Sequence, residues 1–152
     1  MKIVFLDARS VGDVDFSSVE KNGEFIKYEL TSKDELFERI NDAEVIITNK
    51  VYIGKEEIEK APKLKLICVS ATGYNNIDIS AAKEAGVVVA NAAGYSTNSV
   101  AQHVFAMILE LYTSISKYDR DVKAGKWSKS PIFTMNDYTS FELSGKKQRI
   151  IG

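Results

Sequence analysis

One histidine, one cysteine and two prolines are all that these 152 residues hold of three residue types on which much protein chemistry and architecture depends. The single Cys68 cannot close an internal disulfide, and His103 has no second histidine to help it build a zinc site or a nucleophile pair. No metal site is expected, and no Walker A loop or G-x-S-x-G elbow occurs. A surplus of charge of one sign is also missing. Twenty Lys and Arg oppose twenty-one Asp and Glu for a net charge of −1, with no long run of either. That argues against a dedicated nucleic-acid surface and against a polybasic membrane patch. Long apolar runs are absent too. Lys2 is followed by only Ile3-Val4-Phe5-Leu6 before Asp7, so neither a signal peptide nor a membrane span is expected. Cys68 lies in the apolar run Leu64–Val69 and reads as a buried thiol in a core strand, in keeping with a reducing cytoplasm.

What is present alternates. Ile3–Leu6 is a short continuous apolar run, as a parallel strand buried on both faces requires. Phe25–Leu30 is more alternating and belongs nearer a sheet edge. Thr31 or Ser32 can cap a helix running through Ala43, with Leu36, Phe37 and Ile40 as its apolar stripe. Val45–Thr48 is a third strand. A short helix from Lys55 to Ala61 follows, stopped by Pro62. Leu64–Val69 is a fourth strand, about Asp78 to Ala85 a helix with Gly86 placed to cap it, and Val87–Ala90 a fifth strand. Short strands alternating with short helices imply right-handed crossovers. The expected fold is α/β, a flavodoxin-like doubly wound parallel sheet over residues 1–96.

Beyond Gly94 the pattern changes. Asn98 or Thr97 can cap one long helix, residues 97–124, with Gly125 just past its end. Val100, Val104, Met107, Ile108, Leu111 and Ile115 recur at helical spacing, while Ala101, Phe105, Leu109 and Tyr112 line a second side. A helix apolar over most of its girth needs a partner beyond one sheet face, which points to a homo-oligomer, a dimer being the simplest closed form. His103 sits inside this helix among apolar neighbours and is read as a satisfied structural histidine, not a general base. Residues 125–146 show no period and read as an extended arm carrying Trp127, Ile132, Phe133 and Phe141. Residues 147–152 read as a short strand, Ile150-Ile151, ending in Gly152, as at the entry to a dinucleotide-binding Rossmann unit.

Candidate chemistry gathers in three loops at the carboxyl ends of the third, fourth and fifth strands, the edge where open α/β sheets bind ligands. They are Asn49-Lys50-Val51-Tyr52, Ala71-Thr72-Gly73-Tyr74-Asn75-Asn76, and Asn91 to Asn98. Gly73 lets backbone N–H groups close on a small anion, Lys50 adds positive charge, and Thr72 and Ser96 add hydroxyls. The carboxylates Asp34, Glu35, Glu38, Glu56, Glu57 and Glu59 fall at solvent-facing helical spacing and read as solvated faces.

The stretches Ile67-Cys68-Val69-Ser70-Ala71-Thr72-Gly73-Tyr74-Asn75-Asn76-Ile77-Asp78 and Gly86 to His103 resemble the NAD-dependent D-isomer-specific 2-hydroxyacid dehydrogenases. Within that family the second stretch is most similar to glycerate dehydrogenases, or hydroxypyruvate reductases. The tail Leu143-Ser144-Gly145-Lys146 with Ile150-Ile151-Gly152 matches the family's entry into its cofactor domain. Gln102 stands where the family usually has a glutamate. The resemblance implies a substrate domain, an interdomain helix and an arm leading into a truncated Rossmann domain. It implies that a small 2-hydroxy or 2-keto acid is held by Lys50, Val51, Tyr52, Thr72, Gly73, Tyr95 and Ser96. Thr72, Thr97, Val100 and Gly152 would face an NAD or NADP cofactor. The family's catalytic arginine, glutamate and histidine have no counterpart here, so no catalytic residue is assigned and the isolated chain is expected to be inactive. A non-catalytic remnant and a flavodoxin-like binding module are the alternatives.

Overall fold

The computed structural model describes residues 1–151. The chain divides into two compact units, Met1–Tyr95 and Ser96–Gly152. The first unit is built on five strands: β1 (Lys2–Phe5), β2 (Glu24–Lys27), β3 (Val45–Thr48), β4 (Leu66–Val69) and β5 (Val88–Asn91). All pair in parallel, in the order β2-β1-β3-β4-β5. This is the order of flavodoxin-type doubly wound sheets, whose switch point lies between β1 and β3. The helices are α1 (Ser17–Glu20), α2 (Lys33–Ile40), α3 (Lys55–Lys60) and α4 (Ile79–Glu84).

Side-chain alternation sorts the core. Val4, Leu6, Ile46, Ile67 and Val69 point to one face, where Leu36 and Ile40 of α2, Ile58 of α3 and Ala81 and Ala82 of α4 close over them. Phe5 points the other way, edge-on to Phe16 at 5.6 Å, and Phe16 in turn lies 5.6 Å from Phe25. Right-handed crossovers require this split. The chain steps outward from β1 to β2 and then returns past β1 to β3, so α1 lies on the face opposite to α2, α3 and α4. β1 is buried on both sides and β2 forms one edge.

Several boundaries move. β2 ends at Lys27 rather than Leu30, because Tyr28 and Glu29 turn their carbonyls to the N–H groups of Ala8 and Arg9. α2 is capped at Ser32 and stops at Ile40, short of Ala43. Glu35 and Glu57 are more than solvated carboxylates. Each reaches back three residues to accept the backbone N–H of Ser32 (2.9 Å) or Gly54 (2.8 Å), satisfying a donor that the first turn of the helix leaves open.

The second unit corrects the expected single long helix. α5 (Thr97–Thr113) and α6 (Ile115–Lys123) are separated by Ser114, whose backbone is left-handed at φ 52°, ψ 38°. Hydroxyl side chains compete with the helical ladder here. Thr113 Oγ1 donates to the Leu109 carbonyl, and the Glu110 carboxylate accepts from both the N–H and the hydroxyl of Ser116. The arm is not simply extended either. It makes a 3₁₀ turn at Trp127–Lys129 and folds back on its own unit. Tyr138 packs edge-on against Tyr118 at 5.0 Å and donates to Asp121, while Phe141 donates its N–H to the Tyr112 carbonyl. Residues 147–151 form no strand, since a strand needs a ladder partner and none of the described residues pairs with them. Gly152 lies outside the described residues.

Candidate functional site

Parallel pairing sets the site, because register brings the residues just past each strand side by side. Phe5 pairs with Ile47, so Asp7 comes to lie opposite Asn49; Val69 pairs with Asn91, so Ala71 and Thr72 meet Ala92. The loops after β3, β4 and β5 are then joined by side chains. Asn76 Nδ2 donates to the Val51 carbonyl at 2.9 Å, and its own carbonyl accepts from the Ile53 N–H at 2.9 Å. Asn91 Nδ2 donates to the Thr72 carbonyl at 2.7 Å, and Thr72 Oγ1 donates to the Ala92 carbonyl at 3.4 Å. Asp7, nearly fully buried, accepts backbone N–H groups from Asn49, Lys50 and Val51. Sequence reasoning assigns no role to Asp7, Asn76 or Asn91. The available signal is their position, at or just beyond the end of an apolar strand or inside a glycine-containing loop.

Six of the expected substrate residues belong to the first unit. Lys50 is exposed and its ammonium has no ion-pair partner among the described residues, while Val51 is half-buried. Tyr52 is 59% exposed, its ring lying over Gly54, where a Cβ would come within 2.6 Å of the ring. Thr72, Gly73 and Tyr95 are exposed. A Cβ placed on Gly73 would meet nothing within 4 Å, and its φ is not left-handed, so neither strain nor internal crowding calls for glycine there. Among the described residues the Thr72 and Gly73 N–H groups find no acceptor. A cavity of about 710 Å³, lined by Asp7, Leu36, Phe37, Lys50, Val51 and Tyr52 among others, opens beside the β1/β3 switch point.

The other expected residues lie in the second unit. Ser96 precedes α5 and accepts the Val100 N–H at 2.8 Å; Thr97 and Val100 occupy the first turn of α5 and are exposed. His103 is exposed on α5. Cys68 is half-buried on β4, and burial pushes its thiol pKa up, away from nucleophilic use. Among the described residues no cluster of three His, Cys, Asp or Glu could hold a metal ion.

Residues 3–142 match the family profile described as D-isomer specific 2-hydroxyacid dehydrogenase, catalytic domain. The chain belongs to this family. It is 41% identical to a hydroxypyruvate reductase of Blautia hydrogenotrophica, covering 100% of this chain and 49% of the relative. It is 36% identical to a glycerate dehydrogenase of Methylorubrum extorquens, covering 99% and 48%. The chain therefore spans about half the length of the curated relatives it matches. Among solved structures, an NAD-dependent formate dehydrogenase from Staphylococcus aureus in complex with NAD shares 30% identity at a TM-score of 0.65, over 84% of this chain and 42% of that one. A D-lactate dehydrogenase from Aquifex aeolicus complexed with NAD and lactic acid shares 28% at 0.64, over 84% and 39%.

NAD, the cofactor of these dehydrogenases, can be tested against the residues present. The connections from β1 to α1, β3 to α3 and β4 to α4 hold single glycines, Gly12, Gly54 and Gly73, and no G-x-G-x-x-G loop leads from strand to helix among the described residues. The described residues therefore form no pyrophosphate cradle of that kind.

Proposed function

We propose that this chain supplies the carboxylate cradle of an oxidoreductase acting on the CH–OH group of a small D-2-hydroxy acid, of the glycerate and hydroxypyruvate kind. The single observation that carries the reading is the Thr72–Gly73 turn. Two backbone N–H groups without acceptors among the described residues stand at the carboxyl edge of β4, in a loop tied on one side to the Val51 carbonyl and on the other to Asn91. Such a turn can donate two hydrogen bonds to a carboxylate without reorganising. Lys50 adds a cation, and Val51, Tyr52, Tyr95 and Ser96 complete the substrate contacts. Thr72, Thr97 and Val100 are assigned to the nicotinamide side, with NAD or NADP both compatible. The bound nicotinamide would give or take the hydride at C2. The chain's own residues fix the carboxylate and the loops around it. No residue here is assigned to polarise the C2 oxygen or to exchange its proton, so the 152-residue chain by itself is proposed to be inactive.

Two further assignments accompany this one. α5 has no buried side chain, and Phe105, Met107, Leu109 and Leu111 are all exposed, which supports self-association as a dimer through that helix. No helix is long and apolar enough to cross a membrane among the described residues, and the lone half-buried Cys68 suits the reducing cytoplasm in which we place the protein.

The test is an amide NMR titration of the chain with D-glycerate. Shifts centred on Thr72 and Gly73, with no glyoxylate- or hydroxypyruvate-dependent oxidation of NADH, are expected. Shifts absent from that loop, or turnover at rates typical of intact enzymes, would overturn the reading.

A further inference from the structure

Asp7 is not among the proposed substrate contacts, yet the residue is only 4% exposed and its carboxylate accepts three successive backbone N–H groups. Oδ1 takes the Asn49 N–H at 2.9 Å, and Oδ2 takes those of Lys50 at 2.6 Å and Val51 at 3.3 Å, with the Thr48 hydroxyl at 3.4 Å. Consecutive N–H groups turned to one side form a concavity for an anion. In the turn after β3 the chain's own carboxylate already fills it. An external anion therefore has no access to these amides and is left to the turn after β4. The backbone of Lys50 is fixed from below, while its exposed ammonium, free of any ion pair among the described residues, remains available at the open edge. Asn76 holds the same loop from the other side through the Val51 carbonyl.

We propose that Asp7 is the positioning residue of this site, holding Lys50, Val51 and Tyr52 in place as one wall of the carboxylate cradle. The role rests on the carboxylate-binding reading above. Asp7→Asn keeps the shape but leaves a single acceptor oxygen and turns an NH₂ group toward backbone donors. The loop must then loosen even though the sheet survives.

Two measurements on the 152-residue chain decide it. In amide hydrogen exchange, Asp7→Asn should lose protection at Asn49, Lys50 and Val51 while β1, β3 and β4 stay protected; unchanged protection at those three amides overturns the proposal. In the second, the dissociation constant for D-glycerate is read in a double-mutant cycle with Lys50→Met. Asp7→Asn should weaken binding about tenfold when Lys50 is present, and by less than about twofold in the Lys50→Met background, as for groups that act through one another. Equal weakening in both backgrounds indicates a merely structural effect and overturns the positioning role. If Asp7→Asn unfolds the unit, Asp7→Glu is read by the same two measurements, since it keeps the charge and displaces the oxygens by one methylene. If the wild-type chain shows no response to D-glycerate, the carboxylate-binding reading fails. Exchange protection then still decides separately whether Asp7 pins the loop.

Discussion

Asn76 offers a perturbation in which chemistry, not shape, decides the outcome. Its side chain spans two loops, donating from Nδ2 to the Val51 carbonyl at 2.9 Å. A carbonyl can only accept, so an amide nitrogen must face it and a carboxylate in the same place cannot. Asn76→Ala removes one half-buried hydrogen bond. The Val51 carbonyl keeps at most a share of the Thr48 hydroxyl at 3.4 Å, whose single hydrogen also lies within reach of Asp7, and the cost falls near the usual value of about 1 kcal/mol. Asn76→Asp preserves volume but sets a charged oxygen against that carbonyl, and its cost is about 2–3 kcal/mol, the desolvation penalty added to the lost bond. For a unit of this size each kcal/mol lowers the melting temperature by about 4–8 °C, which circular dichroism resolves easily. The two variants also differ in pH response. Repulsion raises the folded-state pKa of the introduced aspartate above its unfolded value, so its penalty is present at neutral pH and shrinks as pH falls through that raised value. A protonated carboxyl can donate to the carbonyl again. Equal stability of the Asn76→Asp and Asn76→Ala variants at neutral pH would refute the assigned contact.

Ile67 is fully buried on β4, and Ile67→Ala should cost about 2–5 kcal/mol in urea unfolding, the range for emptying a well-packed site. In Gly54→Ala the new methyl would displace the Tyr52 ring, a flexible and exposed group, so stability should change by less than about 1 kcal/mol while D-glycerate titrations at the Lys50–Tyr52 loop shift measurably. Asp42 is held below its ordinary 3.8 by Lys2, and Glu35 and Glu44 below 4.5 by Ser32 and Lys65. Depressed carboxylates contribute stability that is present above those values and lost below them, so the urea midpoint should fall as pH drops through about 4. Leu111, 76% exposed on α5, should matter to the proposed self-association: sedimentation velocity should show the parent chain as a dimer and Leu111→Asp shifted toward monomer, and a parent chain that stays monomeric would refute it.

The sheet was legible because its strands carry short unbroken apolar runs, and burial on two faces leaves few other readings for Ile3–Leu6 or Val45–Thr48. The positions of the three candidate loops were legible for a related reason, since each begins where such a run ends. What escaped was mostly polar and long-range. Nothing local to Asp7 says that its carboxylate will meet Asn49, Lys50 and Val51, because that contact is created by the β1–β3 register across more than forty residues. The break at Ser114 escaped for the opposite reason. No glycine or proline marks it, and the apolar spacing continues through it to Ile115, so a periodic reading carries the helix onward. The hydroxyls of Thr113, Ser114 and Ser116 were the available signal, and hydroxyl clusters favour turns too weakly to outweigh a strong apolar stripe.

The contacts of the site also bear on the kind of ligand it can take. Asp7 is committed to three amides, and Asn76 and Asn91 each direct a donor at a loop carbonyl. Glu57, in the first turn of α3, is turned back to the Gly54 N–H. These two carboxylates are thus engaged within the chain, while the Thr72 and Gly73 N–H groups and the Lys50 ammonium have no partner among the described residues. The unengaged donors of the two turns, one of them cationic, favour an anion there, although the Glu56 carboxylate lines the cavity beside Lys50. Within the family a small acid carries that anion as its carboxylate, adjacent to the carbon that reacts. In the proposed reading, a carboxylate held at Thr72 and Gly73 would leave C2 with one remaining rotation to be set, which the loop held by Asp7 and Asn76 would restrict.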